Sequence, residues 1–119
     1  MKASEVRIGN LLNHNNGFVV GPFTINSIHI SDLERDNAYA KEYEPILLTE
    51  EWLISFGFKF KSYGYSEEEW KQWNFNGYYL NGFRCTTSGV ELEYVHQLQN
   101  LYFALTGEEL GFQSLLIYI

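Results

Sequence analysis

The sequence predicts an α+β fold, in which small antiparallel sheets are followed by one main helix near the end of the chain. Short runs of alternating apolar and polar residues, separated by Gly-Pro and Asn-Gly pairs, indicate strands and turns. A stripe of apolar residues with helical spacing then begins at Tyr94 and ends before Gly107. Hydrophobic residues make up 45% of the 119 residues and aromatic residues 18%, so we expect one domain with a substantial core.

The first part of this domain, about residues 1–44, is predicted to be β-rich. Strands are expected at residues 6–12, 18–20 and 23–30. The cluster at residues 13–17 contains residues that tolerate positive φ angles, which predicts a hairpin turn. A phase slip near Ser27 suggests a bulge in the third strand. The polar interval 31–44 mixes both charge signs and predicts a loop or a short frayed helix that joins the two parts.

The second part, about residues 45–119, is predicted to combine helices with further strands. Thr49 is a suitable N-cap for a short helix that Gly57 can end. The apolar side of this helix supplies three predicted core residues, Trp52, Leu53 and Phe56. A strand with one solvent-exposed face is expected at residues 58–61.

Two Asn-Gly pairs, at residues 76–77 and 81–82, are strong signals for tight hairpin turns. Because the pairs are so close, we expect only one of them to be a tight turn, and the sequence leaves open which one. Strands are expected at residues 78–80, 83–87 and 90–93, with Ser88 and Gly89 turning the last pair.

Two further segments of the second part carry weaker signals. Ser66 and Glu69 have the spacing of a capping box, so the segment up to Trp73 is either one helical turn or a solvated loop. The apolar residues 114–119 would promote aggregation if they were exposed, and they are therefore predicted to form a docked strand.

The main helix, Tyr94 to Thr106, has two distinct faces. One face carries the predicted core residues Leu98, Leu101, Tyr102 and Leu105. The opposite face carries His96, Gln99, Asn100 and Phe103. A helix that faces water would usually carry Lys or Glu on this side, so we expect the second face to be covered. The cover is either the chain itself (the tail 115–119 or the Tyr78-Tyr79 segment) or a protein partner or second copy, for which Phe103 would be the buried anchor.

The charge of the chain disfavours several classes of partner. Fifteen acidic residues against eight basic residues give a net charge of −7, which would repel nucleic acid and anionic membrane surfaces. The chain begins without the apolar run of a signal peptide and contains no run long enough to span a membrane, so we expect a cytoplasmic protein.

The sequence offers little catalytic chemistry. His14, His29 and His96 lie in different predicted elements without metal-ligand spacing, so neither a metal nor a cofactor is predicted. No nucleophile or phosphate-binding motif is present, and Cys85 is expected to pack as a small apolar group. The carboxylates cluster at element ends, where helix dipoles and solvent explain them.

Three stretches of the chain resemble a known family. Residues 94–110 resemble the closing signature of an uncharacterised family of small proteins from phages, prophages and mobile elements of anaerobic gut bacteria. Residues 7–10 (Arg-Ile-Gly-Asn) and the region from Pro45 to Phe58 are similar to that family too. Separately, residues 7–12 followed by 17–20 resemble the opening of an SH3-like small barrel. The family resemblance implies a mobile-element setting and no known activity, so no catalytic residue is carried over.

Three classes of function follow from these features. The favoured hypothesis is a non-enzymatic protein-interaction module, in which the uncharged helix and the aromatic residues form the interface. The alternative is an acidic nucleic-acid mimic or anti-defence protein that binds a host protein, for which the negative charge is suggestive. A small enzyme is the least favoured class because no motif supports it.

Overall fold

The computed structural model describes residues 1–15, 17, 20–36, 38–63, 70–75, 77–85 and 89–110. Its helices are α1 (Ser27–Arg35), α2 (Glu50–Ser55) and α3 (Val95–Thr106), and short 3-10 helices occupy Ala3–Glu5 and Ala38–Glu42. Its strands are β1 (Leu11–Asn15), β2 (Val20–Thr24), β3 (Tyr43–Glu44), β4 (Lys59–Tyr63), β5 (Trp70–Phe75), β6 (Tyr78–Asn81) and β7 (Arg84–Cys85). The predicted α+β fold with small antiparallel sheets and a main helix near the end of the chain is confirmed.

The described residues form two compact units. The first contains Met1–Leu47 and Tyr94–Glu109, and the second contains Leu48–Glu93 together with Leu110. The main helix α3 therefore belongs to the same unit as the N-terminal strands, although 46 residues of sequence, 48 to 93, separate the two segments.

The first unit contains a three-stranded antiparallel sheet in the order β2-β1-β3. Pro22 lies in β2, and this position is tolerated because β2 is at the edge of the sheet, where one side of the strand needs no hydrogen-bond donor. Four buried residues, of which Leu12 lies on β1, form one hydrophobic cluster of this unit, namely Val6, Leu12, Ile25 and Leu33. The opening that resembles an SH3-like barrel thus supplies β1 and β2, after which the chain enters a helix.

The prediction of a strand up to residue 30 is wrong, because Ser27–Arg35 is the helix α1. The Asn26 side chain accepts hydrogen bonds from the backbone N–H groups of Ile28 and His29, at 2.9 and 3.4 Å. In return, Nδ1 of His29 accepts the N–H of Asn26 at 2.9 Å. This reciprocal pair is a capping box, and it satisfies donors that a new helix would otherwise leave unpaired. The phase slip near Ser27 is therefore the start of a helix and not a bulge.

The polar interval 31–44 contains more regular structure than a loop. It comprises the end of α1, the 3-10 helix Ala38–Glu42 and the short strand β3, which pairs with β1.

In the second unit, α2 forms as the sequence predicts. Thr49 is its N-cap, and the hydroxyl oxygen accepts the N–H of Trp52 at 3.4 Å. Gly57 follows the helix with φ +94°, a conformation that glycine adopts without steric cost. Leu53 and Phe56 are fully buried, and Trp52 is half-buried.

The sheet of the second unit has four antiparallel strands in the order β4-β5-β6-β7. Phe75 pairs with Tyr78, and Asn81 pairs with Arg84, so each of these strand pairs is joined by a connection of only two residues. Both connections are therefore tight, but only the first coincides with an Asn-Gly pair, because Asn81 is still paired in β6 and the second connection is Gly82 and Phe83. Both turns fit because β6 is only four residues long.

Trp73 on β5 is buried and packs against Phe60 with ring centroids 5.1 Å apart, a core position that the sequence did not identify. Trp70 to Trp73 lie on this strand, and the capping-box segment 66–69 lies outside the described residues. The predicted turn residue Ser88 and the predicted docked tail also lie outside them.

Helix α3 begins and ends where the sequence predicts. Tyr94 is its N-cap, and Gly107 follows it in the left-handed conformation with φ +74°. Leu98 and Tyr102 are buried as expected, whereas Leu101 is only half-buried. The assignment of Leu105 to the core needs correction, because this side chain is 37% exposed. Within the part of the chain that the structure describes, no helix is both long enough and apolar enough to cross a membrane.

Candidate functional site

The candidate interaction face of α3 lies against the N-terminal segment of the chain. The Gln99 side chain is 2% exposed. Its Oε1 accepts the backbone N–H of Leu11 at 2.8 Å, and its Nε2 donates to the carbonyl oxygen of Gly9 at 3.4 Å. The Asn100 side chain accepts a hydrogen bond from Asn10 Nδ2 at 2.8 Å. The amides on this face are therefore engaged within the first unit.

The other two residues of this face also have contacts within the first unit. Phe103 is partly exposed, and the guanidinium carbon of Arg7 lies 4.1 Å from the centroid of its ring. The same guanidinium pairs with the carboxylate of Glu109. His96 is 3% exposed, and its ring is stacked on Tyr94 with an interplanar angle of 9°.

Of the two explanations for the uncharged face, the structure therefore favours the intramolecular one for His96 and Gln99, which are buried. The cover that the structure describes is the segment from Glu5 to Leu11, and the predicted tail 115–119 lies outside the described residues. The sequence could not identify this cover because the hydrogen-bonding partners are 88 or more positions apart.

A second site is formed by residues that the sequence did not group. Histidines from β1 and α1 come together with aromatic residues from β2 and β3 at a cleft of about 560 Å³ in the first unit. We call it the histidine cleft, and the described residues that line it are His14, Phe23, Thr24, His29, Tyr39, Glu42 and Tyr43.

The rings of the histidine cleft contact one another at steep angles. Phe23 lies between the two histidines, with ring centroids 4.8 Å from His29 and 5.9 Å from His14. Tyr43 is 5.5 Å from Phe23 and 5.4 Å from His29, the latter at an interplanar angle of 88°. Edge-to-face contacts of this kind are favourable because the positive edge of one ring meets the negative face of another. The cleft wall is thus a pre-formed group of rings from four separate elements.

Hydrogen bonds fix the orientation of three side chains in the cleft. Nε2 of His14 is 2.7 Å from Oε2 of Glu42, which lies on the 3-10 helix. Nδ1 of His29 accepts the Asn26 N–H, so the N–H of the neutral imidazole ring is at Nε2. The Tyr43 hydroxyl donates to Oδ2 of Asp32 at 2.7 Å. Burial and then this carboxylate raise the pKa of Tyr43 well above its ordinary value, so the phenol stays protonated.

This arrangement is better suited to binding than to metal chemistry. Among the described residues, no group of three or more His, Cys, Asp or Glu side chains could hold a metal ion. Tyr43 is an unsuitable nucleophile because its hydroxyl is protonated and directed to Asp32. The cleft instead offers aromatic faces, a carboxylate and the Nε2–H of His29. The one sequence signal for the cleft was the spacing of Asn26 and His29, which is typical of the start of a helix and places His29 on α1.

The second unit has a smaller hollow of about 450 Å³, where Arg84 donates to Glu91 at 2.6 Å beside Phe83. Both charged side chains are highly exposed, and exposed ion pairs of this kind contribute little to stability. The two charged side chains that line this hollow are therefore already paired with each other.

Comparison of the chain with protein-family models, with curated proteins and with solved structures gives no match.

Proposed function

We propose that this protein is a non-enzymatic interaction module that binds a protein partner at the histidine cleft. The observation that carries this proposal is the pre-formed wall of rings in a cleft of about 560 Å³. Rigid aromatic side chains are enriched at the energetic centres of protein interfaces because they bury large areas and lose little conformational entropy. The site differs from the α3 face that the sequence favoured.

Two exposed apolar residues of the first unit support the same proposal. Tyr39, which lines the cleft, is 62% exposed, and Ile28, the neighbour of His29, is 67% exposed. Single exposed apolar residues are ordinary on protein surfaces, but these two lie on the elements that form the cleft. They would extend the area that a bound segment could bury.

The proposed setting is the cytoplasm of a cell that carries a phage or mobile element. The family resemblance of residues 7–10 and 94–110 is the basis for the mobile element. The single cysteine, Cys85, is buried in β7, which fits a protein that does not rely on disulfides and works in a reducing compartment. The proposed partner is therefore a protein of the host or of the phage.

A peptide selection tests the binding function directly. A displayed library of random peptides would be selected on the folded protein, and the enriched peptides would then be measured against two variants. Tyr39→Ala removes an exposed ring of the cleft, whereas Tyr79→Ala removes an exposed ring of the second unit and is the matched control.

We expect enriched peptides to bind the wild type and Tyr79→Ala equally, and to bind Tyr39→Ala at least about tenfold more weakly, a loss of about 1.4 kcal/mol. Thermal melts of both variants would show that they remain folded. If no peptide is enriched, or if the enriched peptides bind Tyr39→Ala as tightly as the wild type, the proposal is wrong.

A further inference from the structure

We infer that the histidine cleft binds the guanidinium group of an arginine side chain on the partner protein. This inference rests on the proposed function, because it names the chemical group that the same cleft recognises. It follows from a comparison of the cleft with an arginine site that the chain itself forms.

The chain's own site combines one aromatic ring, one carboxylate and one guanidinium. Arg7 lies 4.1 Å from the centroid of the Phe103 ring and pairs with the carboxylate of Glu109. The planar guanidinium can stack on a ring while its N–H groups bind a carboxylate in the same plane. These contacts hold the N-terminal segment against α3 and against Glu109, three residues after the helix ends.

The histidine cleft contains aromatic rings and a carboxylate, as the Arg7 site does, but its described lining contains no guanidinium group. Phe23 and Tyr43 supply aromatic faces, and Glu42 supplies a half-buried carboxylate. Neither lysine nor arginine occurs among the described residues that line the cleft. Oε2 of Glu42 is 2.7 Å from His14, and a guanidinium would bind the other oxygen, Oε1.

The surroundings of Tyr43 strengthen the attraction for a cation. Its hydroxyl donates to Asp32, which places a second carboxylate at the hydroxyl end of the ring and makes the ring face more attractive to a cation. An anionic ligand would meet the Glu42 carboxylate in the cleft and a net charge of −7 on the chain. A cation is therefore the favoured ligand, and a planar one fits flat ring faces better than an ammonium does.

Three small probes separate charge from shape. N-acetyl-arginine N-methylamide carries the guanidinium, the corresponding citrulline derivative has the same shape without the charge, and the lysine derivative has the charge without the planar group. Each would be titrated into the ¹⁵N-labelled full chain, and dissociation constants would be taken from the amide shifts of His14, Phe23, His29, Glu42 and Tyr43. We expect the arginine probe to bind at least about tenfold more tightly than the citrulline probe.

Two variants assign the preference to the cleft carboxylate. Glu42→Gln should bring the arginine and citrulline constants to within about twofold of each other. Glu44→Gln is the matched control, because it removes the same charge from an exposed residue two positions away, outside the cleft lining. We expect Glu44→Gln to keep the wild-type preference.

The inference is overturned if citrulline binds as tightly as arginine, if lysine binds more tightly, or if Glu42→Gln and Glu44→Gln behave alike. It is also overturned if none of the probes shifts the cleft amides at tens of millimolar. The proposed function would still hold after any of these results if selected peptides that contain no arginine bind the wild type more tightly than Tyr39→Ala. The proposed function itself fails only in the peptide selection, so the two results can be told apart.

Discussion

At the scale of single residues, the stretch from Arg7 to Asn10 near the start of the chain has structural roles. Arg7 binds Glu109 and lies over Phe103, and the Asn10 side chain accepts the N–H of Arg7 at 2.7 Å while it donates to Asn100. This stretch therefore holds the N-terminal segment on α3.

Two features favour glycine at position 9, in the same stretch. Its φ of +98° is one that other residues rarely adopt, and a Cβ at this position would lie 3.1 Å from Oε1 of Glu109. The glycine thus allows the backbone to approach the residue that pairs with Arg7.

Two of the residues that cap helices, Thr49 and Gly107, were predicted from the sequence, whereas the buried polar residues were not. Thr49 and Gly107 act on neighbours a few positions away, so local patterns identify them. Glutamine is usually exposed on protein surfaces. Gln99 is buried because its amide forms hydrogen bonds with Leu11 and Gly9, which are distant in sequence. The two explanations that the sequence leaves open for the α3 face have the same cause, because a polar face without charge fits both a partner protein and a distant part of the same chain.

His96 should make stability depend on pH. Burial lowers the pKa of its imidazole below the ordinary value of 6.5, and the opposing effect of Glu5 is weaker. In the unfolded chain the imidazole binds a proton near its ordinary pKa, so acidification below about pH 6.5 favours unfolding. The full stability is present above that pH and decreases as the pH falls towards the lowered pKa.

His96→Phe tests this expectation because it keeps a ring that can stack on Tyr94 but cannot be protonated. Urea unfolding of the wild type and the variant would be compared at pH 7.5 and pH 5.5. We expect the free energy of unfolding to fall less in the variant than in the wild type. An equal decrease in both proteins would show that His96 does not contribute.

At the scale of elements, the largest error concerns α1. Ile28 and Ile30 are β-branched and alternate with polar residues, which favours a strand in isolation. The reciprocal hydrogen bonds of Asn26 and His29 and the burial of Leu33 in the core favour the helix. The signal was present in the sequence, but His29 stands at the position where glutamate or glutamine usually marks a capping box.

Asn26→Ala should therefore destabilise the first unit. The substitution removes the acceptor for two backbone N–H groups, and losses of about 0.5–2 kcal/mol are typical for N-cap residues. Ser27→Ala, one position later on the exposed surface, is the matched control and should change the free energy of unfolding by less than about 0.5 kcal/mol. Similar losses in the two variants would mean that the cap is not important for α1.

The burial pattern of α3 gives a graded series of leucines. The Leu98 side chain is 3% exposed, Leu101 is half-buried, and Leu105 is exposed. Leu98→Ala should cost about 2–5 kcal/mol because it leaves a cavity, whereas Leu105→Ala should cost less than about 1 kcal/mol. Leu101→Ala should lie between them. Denaturant melts of the three variants would check the order, and a loss at Leu105 as large as at Leu98 would contradict it.

At the scale of the whole molecule, the sequence predicted the elements better than their grouping. The fold class and the bounds of α2 and α3 follow from local periodicity and caps. Local patterns do not show that α3 belongs to the first unit, because this placement depends on hydrogen bonds between residues about 90 positions apart. The histidine cleft was missed for the same reason, since its lining comes from separate elements of the first unit.

The first unit should fold only when α3 is present. Residues 1–47 are few for an independent domain, and without α3 the Leu11 N–H and the Asn10 amide lose their partners. Leu47 and Tyr94 form an antiparallel bridge, and the Val95 N–H donates to the Ile46 carbonyl at 2.8 Å, so a linker of about four glycine and serine residues can join 47 to 94.

We expect a chain of residues 1–47 joined to 94–109 to melt cooperatively by circular dichroism and residues 1–47 alone to show no cooperative transition. The joined chain with Gln99→Met is a further control, and it should melt at a lower temperature because the Leu11 N–H is left without its acceptor. Cooperative melting of residues 1–47 alone would show that α3 only covers a unit that is already complete.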